Sequence, residues 1–356
     1  MYGYNRLYTE TKQSPFAYRL GAAASPKQDR VRAAEHGVNF WTQSFGQQEP
    51  SILTSIQKWS GEDAFFMAHV AGSNRHVALG IADGVGGWQD QGVNPGLFSH
   101  GLCRYMADVV SRAKNETDLK PVSLLQIGYD GVKADESIPA GSSTATVATA
   151  RPNGSLEVAN LGDSGYAILS PGKVSFKSEP QILGFNTPFQ LAKLTQKMEA
   201  QRAIFGDTRQ ISNLPSESDI SHHTLKHGDV VVFASDGLWD NLSSTEILNV
   251  VSSVMEKEGH WSKSSAVSAI GDVLRSPSQA SAPEKDLASQ VAFAIMREAK
   301  VLSRNQKRDG PFAKEVQKFY PGENFHGGKV DDVAVAVCIA VQDGAGSMSF
   351  IPKAKL

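Results

Sequence analysis

Cysteine is scarce in this chain. Only Cys103 and Cys338 occur in 356 residues, each within an apolar run where a thiol behaves as a small buried hydrophobe. That excludes a disulfide scaffold and a cysteine-ligated zinc site. Net charge is scarce too: 35 Lys and Arg stand against 37 Asp and Glu, leaving -2. Such a surface offers no general attraction to nucleic acid or anionic lipid, so neither is an expected partner. No apolar run approaches the ~18 residues of a membrane span.

Several catalytic signatures are missing. Neither cysteine has an arginine six residues on, as a cysteine phosphatase loop requires. There is no HExxH or GxSxG, and no phosphate-binding GxxxxGK[ST]; in the nearest approach, Gly322–Gly327 is followed by Gly328 rather than lysine. The His-rich stretch Ser221–His227 reads as the surface edge of a strand.

What is present is a globular composition, 40% apolar and 20% charged, sufficient for one large domain or two ordinary ones. The first 34 residues differ, with six basic residues and two acidic ones. Residues 1–37 therefore read as a flexible or organelle-targeting leader, with order beginning near Val38. Strands are expected over Val38–Thr42, Ala64–Val70 and His76–Ala82. Phe98, Leu102, Tyr105, Met106 and Val109 recur at helical spacing, predicting a helix from Pro95 to Ala113, and a second is expected at Val122–Val132. Short strands at Thr144–Ala150, Ser155–Leu161, Tyr166–Leu169 and Val174–Lys177 suggest a meander. His223–Leu225 and Val230–Ala234 suggest a further hairpin. Ser243-Ser244-Thr245-Glu246 is a capping box, Leu287–Leu302 a helix, and Val333–Val341 a buried closing strand. Residues 185–218 lie between strands as a flap, Ser276–Pro283 as an exposed loop, and 346–356 as a tail.

The informative residues are aspartates at strand tips. Apolar runs lead into Asp83-Gly84, Asp163-Ser164 and Asp236-Gly237; Glu62-Asp63 and Asp331-Asp332 stand just before strands. One Asp-Gly is merely a turn. Several, each closing a hydrophobic strand, put carboxylates side by side, where they repel unless a hard divalent cation neutralises them.

In chain order, Gly61-Glu62-Asp63, Ala82-Asp83-Gly84-Val85-Gly86-Gly87-Trp88, Gly141-Ser142-Ser143-Thr144-Ala145, Leu161-Gly162-Asp163-Ser164, Ser235-Asp236-Gly237-Leu238-Trp239-Asp240 and Val330-Asp331-Asp332 resemble the metal-dependent protein phosphatases of the 2C type. Asp-Gly-Val-Gly-Gly-Trp, with Phe185-Asn186-Thr187-Pro188-Phe189-Gln190-Leu191, resembles the branch of that family found in mitochondria and linked to coenzyme Q biosynthesis. The resemblance implies an α+β, four-layer α-β-β-α sandwich over residues 38–345, two antiparallel sheets with helices outside. It implies a monomeric phosphoserine/phosphothreonine phosphatase of the mitochondrial matrix, acting on phosphoproteins through two Mn²⁺ or Mg²⁺ ions and a hydroxide that bridges them. Asp83 would bridge the ions; Asp236 and Asp331 would complete one, the Gly84 carbonyl and Glu62 the other. Asp63 and Asp240 would orient water, Asp163 would hold a weaker third ion, and Lys58 would contact the phosphate where many members carry arginine. One position departs: Val85 stands where many members have a general-acid histidine, and the expected replacement is water held near Asp163, the competing reading being another side chain such as His69 or His222. Two other readings are a catalytically silent scaffold, disfavoured because Asp83, Asp236 and Asp331 are all present, and a two-metal nuclease, disfavoured by the absence of a basic stripe.

Overall fold

The computed structural model describes residues 15–28, 41–44, 52–113, 119–205, 211–262 and 286–342. Two six-stranded antiparallel sheets form its centre. In one, the order is Lys173–Lys177, Gly165–Ser170, Val230–Ala234, Val333–Gln342, Phe16–Ser25, Trp41–Ser44; in the other it is Asp219–Thr224, Ser155–Leu161, Ala145–Ala150, Ser73–Asp83, Asp63–Val70, Ile52–Thr54. Period-two alternation sorts each strand between two apolar layers. Tyr18, Leu20, Phe65, Met67, Leu79, Ile81, Val231 and Phe233 fill the space between the sheets. Val230, Val232, Val335 and Val337 point outward to helices Ser244–Lys257 and Leu287–Ser303. Ala64, Phe66 and Ala68 point the other way, to Gly96–Arg112 and Pro121–Ala134. The result is the expected four-layer sandwich. Both cysteines are free and buried. The capping box forms, Glu246 Oε2 accepting from the Ser243 amide at 2.9 Å. No helix among the described residues is long and apolar enough to cross a membrane.

Four expectations change. The fold does not begin near Val38: Phe16–Ser25, inside the expected leader, is a buried strand paired residue for residue with the last strand, Phe16 opposite Gln342 and Ser25 opposite Val333. Its small residues have a steric reason. A Cβ on Gly21 would run into the backbone of Ala288 and Ser289, so helix Leu287–Ser303 packs directly on this strand. Next, the four short central strands are not one meander; Ala145–Leu161 serves one sheet and Gly165–Lys177 the other. Nor do His223–Leu225 and Val230–Ala234 pair as a hairpin. Asp219–Thr224 borders Ser155–Leu161 in one sheet, while Val230–Ala234 lies between Gly165–Ser170 and Val333–Gln342 in the other. Finally, Pro311–Phe319 forms a helix that the sequence reading lacked. The expected strand at Val38–Thr42 falls partly, and the Ser276–Pro283 loop and 346–356 tail wholly, outside the described residues.

The flap region is tied down in several places. Leu191–Lys193 pairs with Gly141–Ser143, and Lys193 Nζ donates to the Val132 and Asp135 carbonyls at 3.1 and 2.8 Å. Phe185 packs among Phe312, Phe319 and Tyr320, ring centroids 5.3 to 5.7 Å away.

Candidate active site

Strand register builds one half of the site. Asp63 stands directly opposite Asp83 on adjacent antiparallel strands, an arrangement that puts both side chains on one face about 5 Å apart. The other sheet supplies the facing half. Val230–Ala234 ends at Ser235, whose hydroxyl donates to Asp63 Oδ2 at 2.5 Å and accepts from the Ala334 amide at 3.0 Å. Asp236 follows, and a Cβ on Gly237 would collide with the Asp332 carbonyl; glycine there lets the 236–240 turn close on the start of the last strand.

The two members of Asp331-Asp332 do different work. The Asp332 carboxylate accepts from the Lys27 amide at 2.5 Å and the Glu62 amide at 2.7 Å, bracketing the end of the first strand against the Gly61-Glu62 turn. Asp331 instead turns to the cluster, Oδ2 lying 3.2 Å from Lys329 Nζ. The same ammonium is 2.8 Å from Asp240 and is paired with Asp236. Lys329 is held by Asn241, which accepts from the Lys329 amide at 3.0 Å and donates to its carbonyl at 2.8 Å.

The electrostatics match this crowding. Burial, then the charges of Asp236, Asp63, Asp331 and Asp163, raises the Asp83 carboxyl well above its usual range. Asp63 is likewise raised, by burial and then by Asp332, against the Ser235 hydrogen bond. Burial and Asp236 push Asp163 up to about 8. Burial pushes Asp240 up to about 7 against the pull of Lys329. Glu62 is raised by burial and Asp332, and Asp331 by burial and Asp236. Carboxylates crowded like this cannot all ionise unless cations join them. The donor set is all oxygen, which suits Mg²⁺ or Mn²⁺. Among the described residues no three such side chains stand preassembled as a metal chelate; in this arrangement Lys329 draws Asp236, Asp240 and Asp331 to itself.

Asp63, Asp83, Asp163, Asp236, Asp240 and Asp331 thus lie within electrostatic reach of one another. Glu62 joins by its backbone contacts, its carboxylate accepting from Gln89 Nε2. Gly84 bridges to Ser143, its amide bonded to the Glu62 carbonyl at 3.2 Å. Lys58 stands apart: it is exposed, its ammonium 4.9 Å from the Trp59 ring centre. Val85 donates its amide to the Ser142 carbonyl. Ser142 also accepts from Trp88 Nε1 at 2.6 Å and donates to Gln190 Oε1 at 2.5 Å, which joins three of the sequence motifs at one hydroxyl. Of the His-rich edge, His223 bonds Tyr166 at 2.6 Å. Lys329, Ser235, Asn241 and Gln89 were missed from sequence; a lysine two residues before the Asp331-Asp332 pair was the one available signal.

Comparison with known proteins identifies relatives of the chain. The family model "Protein phosphatase 2C" matches residues 190–285. The chain is 32% identical over 294 residues to 5-azacytidine resistance protein azr1 of Schizosaccharomyces pombe, covering 82% of this chain and 86% of the relative. It is 30% identical over 338 residues to Protein phosphatase 2C homolog 7, mitochondrial, of Saccharomyces cerevisiae, covering 93% and 84%. Among solved structures, the photosystem II phosphatase PBCP superposes with a TM-score of 0.57 at 25% identity, over 81% of this chain and 97% of that one.

Proposed function

Because the chain belongs to the protein phosphatase 2C family, whose members are metal-dependent protein serine/threonine phosphatases, we propose that its acidic cleft holds two Mn²⁺ or Mg²⁺ ions for phosphoserine and phosphothreonine hydrolysis. Asp83, Asp236, Asp331, Glu62 and the Gly84 carbonyl would hold the ions. Asp63 and Asp240 would orient water, and Asp163 would offer a weaker third place. The observation that carries this reading is the meeting of Asp63 and Asp83 from one sheet with Asp236 and Asp331 from the other. When bound, the ions supply an acidified water nucleophile and neutralise phosphoryl charge.

The chain's own part is positioning. Ser235 fixes Asp63, and with it the strand register that sets Asp63 beside Asp83. Asp332 fixes the Glu62 turn, and the Ser142–Trp88–Gln190 knot fixes the loop after Asp83. Such rigidity lets charge stabilisation act without reorganisation during the reaction. Lys58, exposed four residues before Glu62, is the residue assigned to contact a substrate phosphate. Val85 cannot donate a proton, so the leaving hydroxyl takes its proton from water on the Asp163 side.

The finer reading is a monomeric phosphatase acting on mitochondrial phosphoproteins, with a place in coenzyme Q biosynthesis. It draws support from the mitochondrial designation of the Saccharomyces cerevisiae relative and from the basic first residues. The test is phosphopeptide hydrolysis by the full-length protein: EDTA should abolish it and Mn²⁺ restore it, with Asp83→Asn inactive under both conditions. Full activity in EDTA overturns the metal assignment. A phosphoproteome of mitochondria carrying Asp83→Asn tests the location and substrate class; no phosphosite gained there would overturn both.

A further inference from the structure

Lys329 stands half-buried on the same loop as Asp331 and reaches into the carboxylates just described. Three observations set it apart from an ordinary ion pair. Its ammonium contacts three different carboxylates, those of Asp236, Asp240 and Asp331, two of which are proposed metal ligands. Its backbone is clamped from both sides by the fully buried Asn241, so the loop cannot drift away, yet the side chain retains four rotatable carbon bonds. And an aromatic face is at hand: the Phe312 ring centre lies 5.7 Å from Nζ while it pairs with the carboxylates, a cation–π contact the ammonium can keep when it leaves them.

We propose that Lys329 is a built-in placeholder cation, holding the Asp236–Asp331 position in the metal-free protein and yielding it when a divalent ion binds. An ammonium and a divalent ion cannot share the same carboxylate oxygens at bonding distance, since like charges in a partly buried site repel strongly. Binding there is therefore an exchange: the ion enters, and Lys329 leaves toward Phe312. The exchange has two effects of opposite sign. It spares the metal-free fold from an uncompensated acidic cluster, and it weakens metal binding, because only the fraction of molecules with Lys329 swung out is competent to bind. If that fraction is one in ten, the apparent dissociation constant rises about tenfold. The lysine thereby sets the metal concentration at which the phosphatase becomes active.

This inference rests on the cleft being a divalent-ion site, and the experiment separates the two. Mn²⁺ is titrated by calorimetry into metal-stripped full-length wild type, Lys329→Met and Lys329→Gln, and each is melted in EDTA and in saturating Mn²⁺. The expected result is Mn²⁺ affinity about tenfold tighter in both variants. Their melting temperatures should fall below wild type in EDTA, with the gap closing in Mn²⁺. Equal or weaker affinity in the variants, or an unchanged melting temperature in EDTA, overturns the placeholder role. Absence of Mn²⁺ binding by every protein, wild type included, overturns the metal site itself. Should both variants fail to fold, wild type alone decides: labelling by an amine-acylating reagent, read by mass spectrometry, should modify Lys329 faster in Mn²⁺ than in EDTA. Equal or slower modification in Mn²⁺ refutes the exchange.

Discussion

Replacing Asp331 or Asp332 by asparagine should give opposite phenotypes, although the residues are adjacent. Asp332 accepts two backbone amides, from Lys27 and Glu62. Asparagine keeps the shape but offers one accepting oxygen, leaving one of those N–H groups facing another donor. The lost charge is not itself costly, because burial raises the Asp332 carboxyl despite both amide bonds; the cost is the orphaned, partly buried donor, about 2 kcal/mol. At ~2–4 °C per kcal/mol in a chain of a few hundred residues, Asp332→Asn should melt about 5 °C below wild type in EDTA. Added Mn²⁺ should still raise its melting temperature. Asp331→Asn removes one repelling charge from a crowded cluster, so its melting temperature in EDTA should match or exceed that of wild type, while the Mn²⁺-induced gain is lost. Differential scanning calorimetry with and without Mn²⁺ reads all four quantities. If Asp332→Asn melts like wild type in EDTA but loses the response to Mn²⁺, the assignment of bracket and ligand within this pair is reversed.

Gly21→Val should abolish soluble folding or lower the melting temperature by 10 °C or more, since overpacking costs about 1–3 kcal/mol even where backbone can move, and here the obstruction is helix backbone; wild-type melting would refute the packing argument. Trimming 185–218 as a whole would remove Leu191–Lys193, the partner of the strand that bridges to Gly84, so Phe185→Ala is the cleaner probe of the flap: it should slow phosphoprotein turnover more than aryl phosphate turnover, and equal losses would assign the flap a purely structural role. Val85→His should raise the ratio of phosphopeptide to aryl phosphate rates, a positioned acid being worth about 10²–10⁴-fold where the leaving group is basic. Asp163→Ala should lower that ratio, and a ratio unmoved by either would place the proton source elsewhere. Removing residues 1–25 should prevent folding; a folded 26–356 chain would contradict the part of the first strand in its sheet.

The site was more legible than the frame around it. An apolar run ending in Asp-Gly is visible in sequence because the core demands the run and the turn demands the glycine, so Asp83 and Asp236 announced themselves. The first strand did not. Gly21-Ala22-Ala23-Ala24-Ser25 lacks the β-branched and aromatic residues of a typical strand, because a helix backbone rests on it, and its basic surroundings imitate a leader. The false hairpin at 223–234 arose because Lys226–Asp229 has hairpin length. Local spacing does not reveal that two sheets face each other and that a short connection can pass between them; the fully buried run Val230–Ala234, flanked on both sides, was the sign of a central strand. Pro311–Phe319 was missed though Phe312, Val316 and Phe319 recur at helical spacing. Lys329 could not be placed at all without knowing that its loop runs beside Asp236 and Asp240.

The pairing of the first strand with the last reaches into biosynthesis. Phe16 meets Gln342 and Ser25 meets Val333, so this interior pair of the sheet cannot form until the ribosome has made nearly the whole chain. Closing so long a loop is entropically late. The Phe16–Ser25 segment leaves the exit tunnel early and must wait with the edge that meets Val333–Gln342 unpaired, an invitation to chaperones that hold extended chains and to aggregation where they are lacking. A nascent chain kept open in this way also remains thin enough to be threaded through a translocation pore. By the same logic, any protease that trims the amino terminus must cut before Phe16 to leave a foldable product.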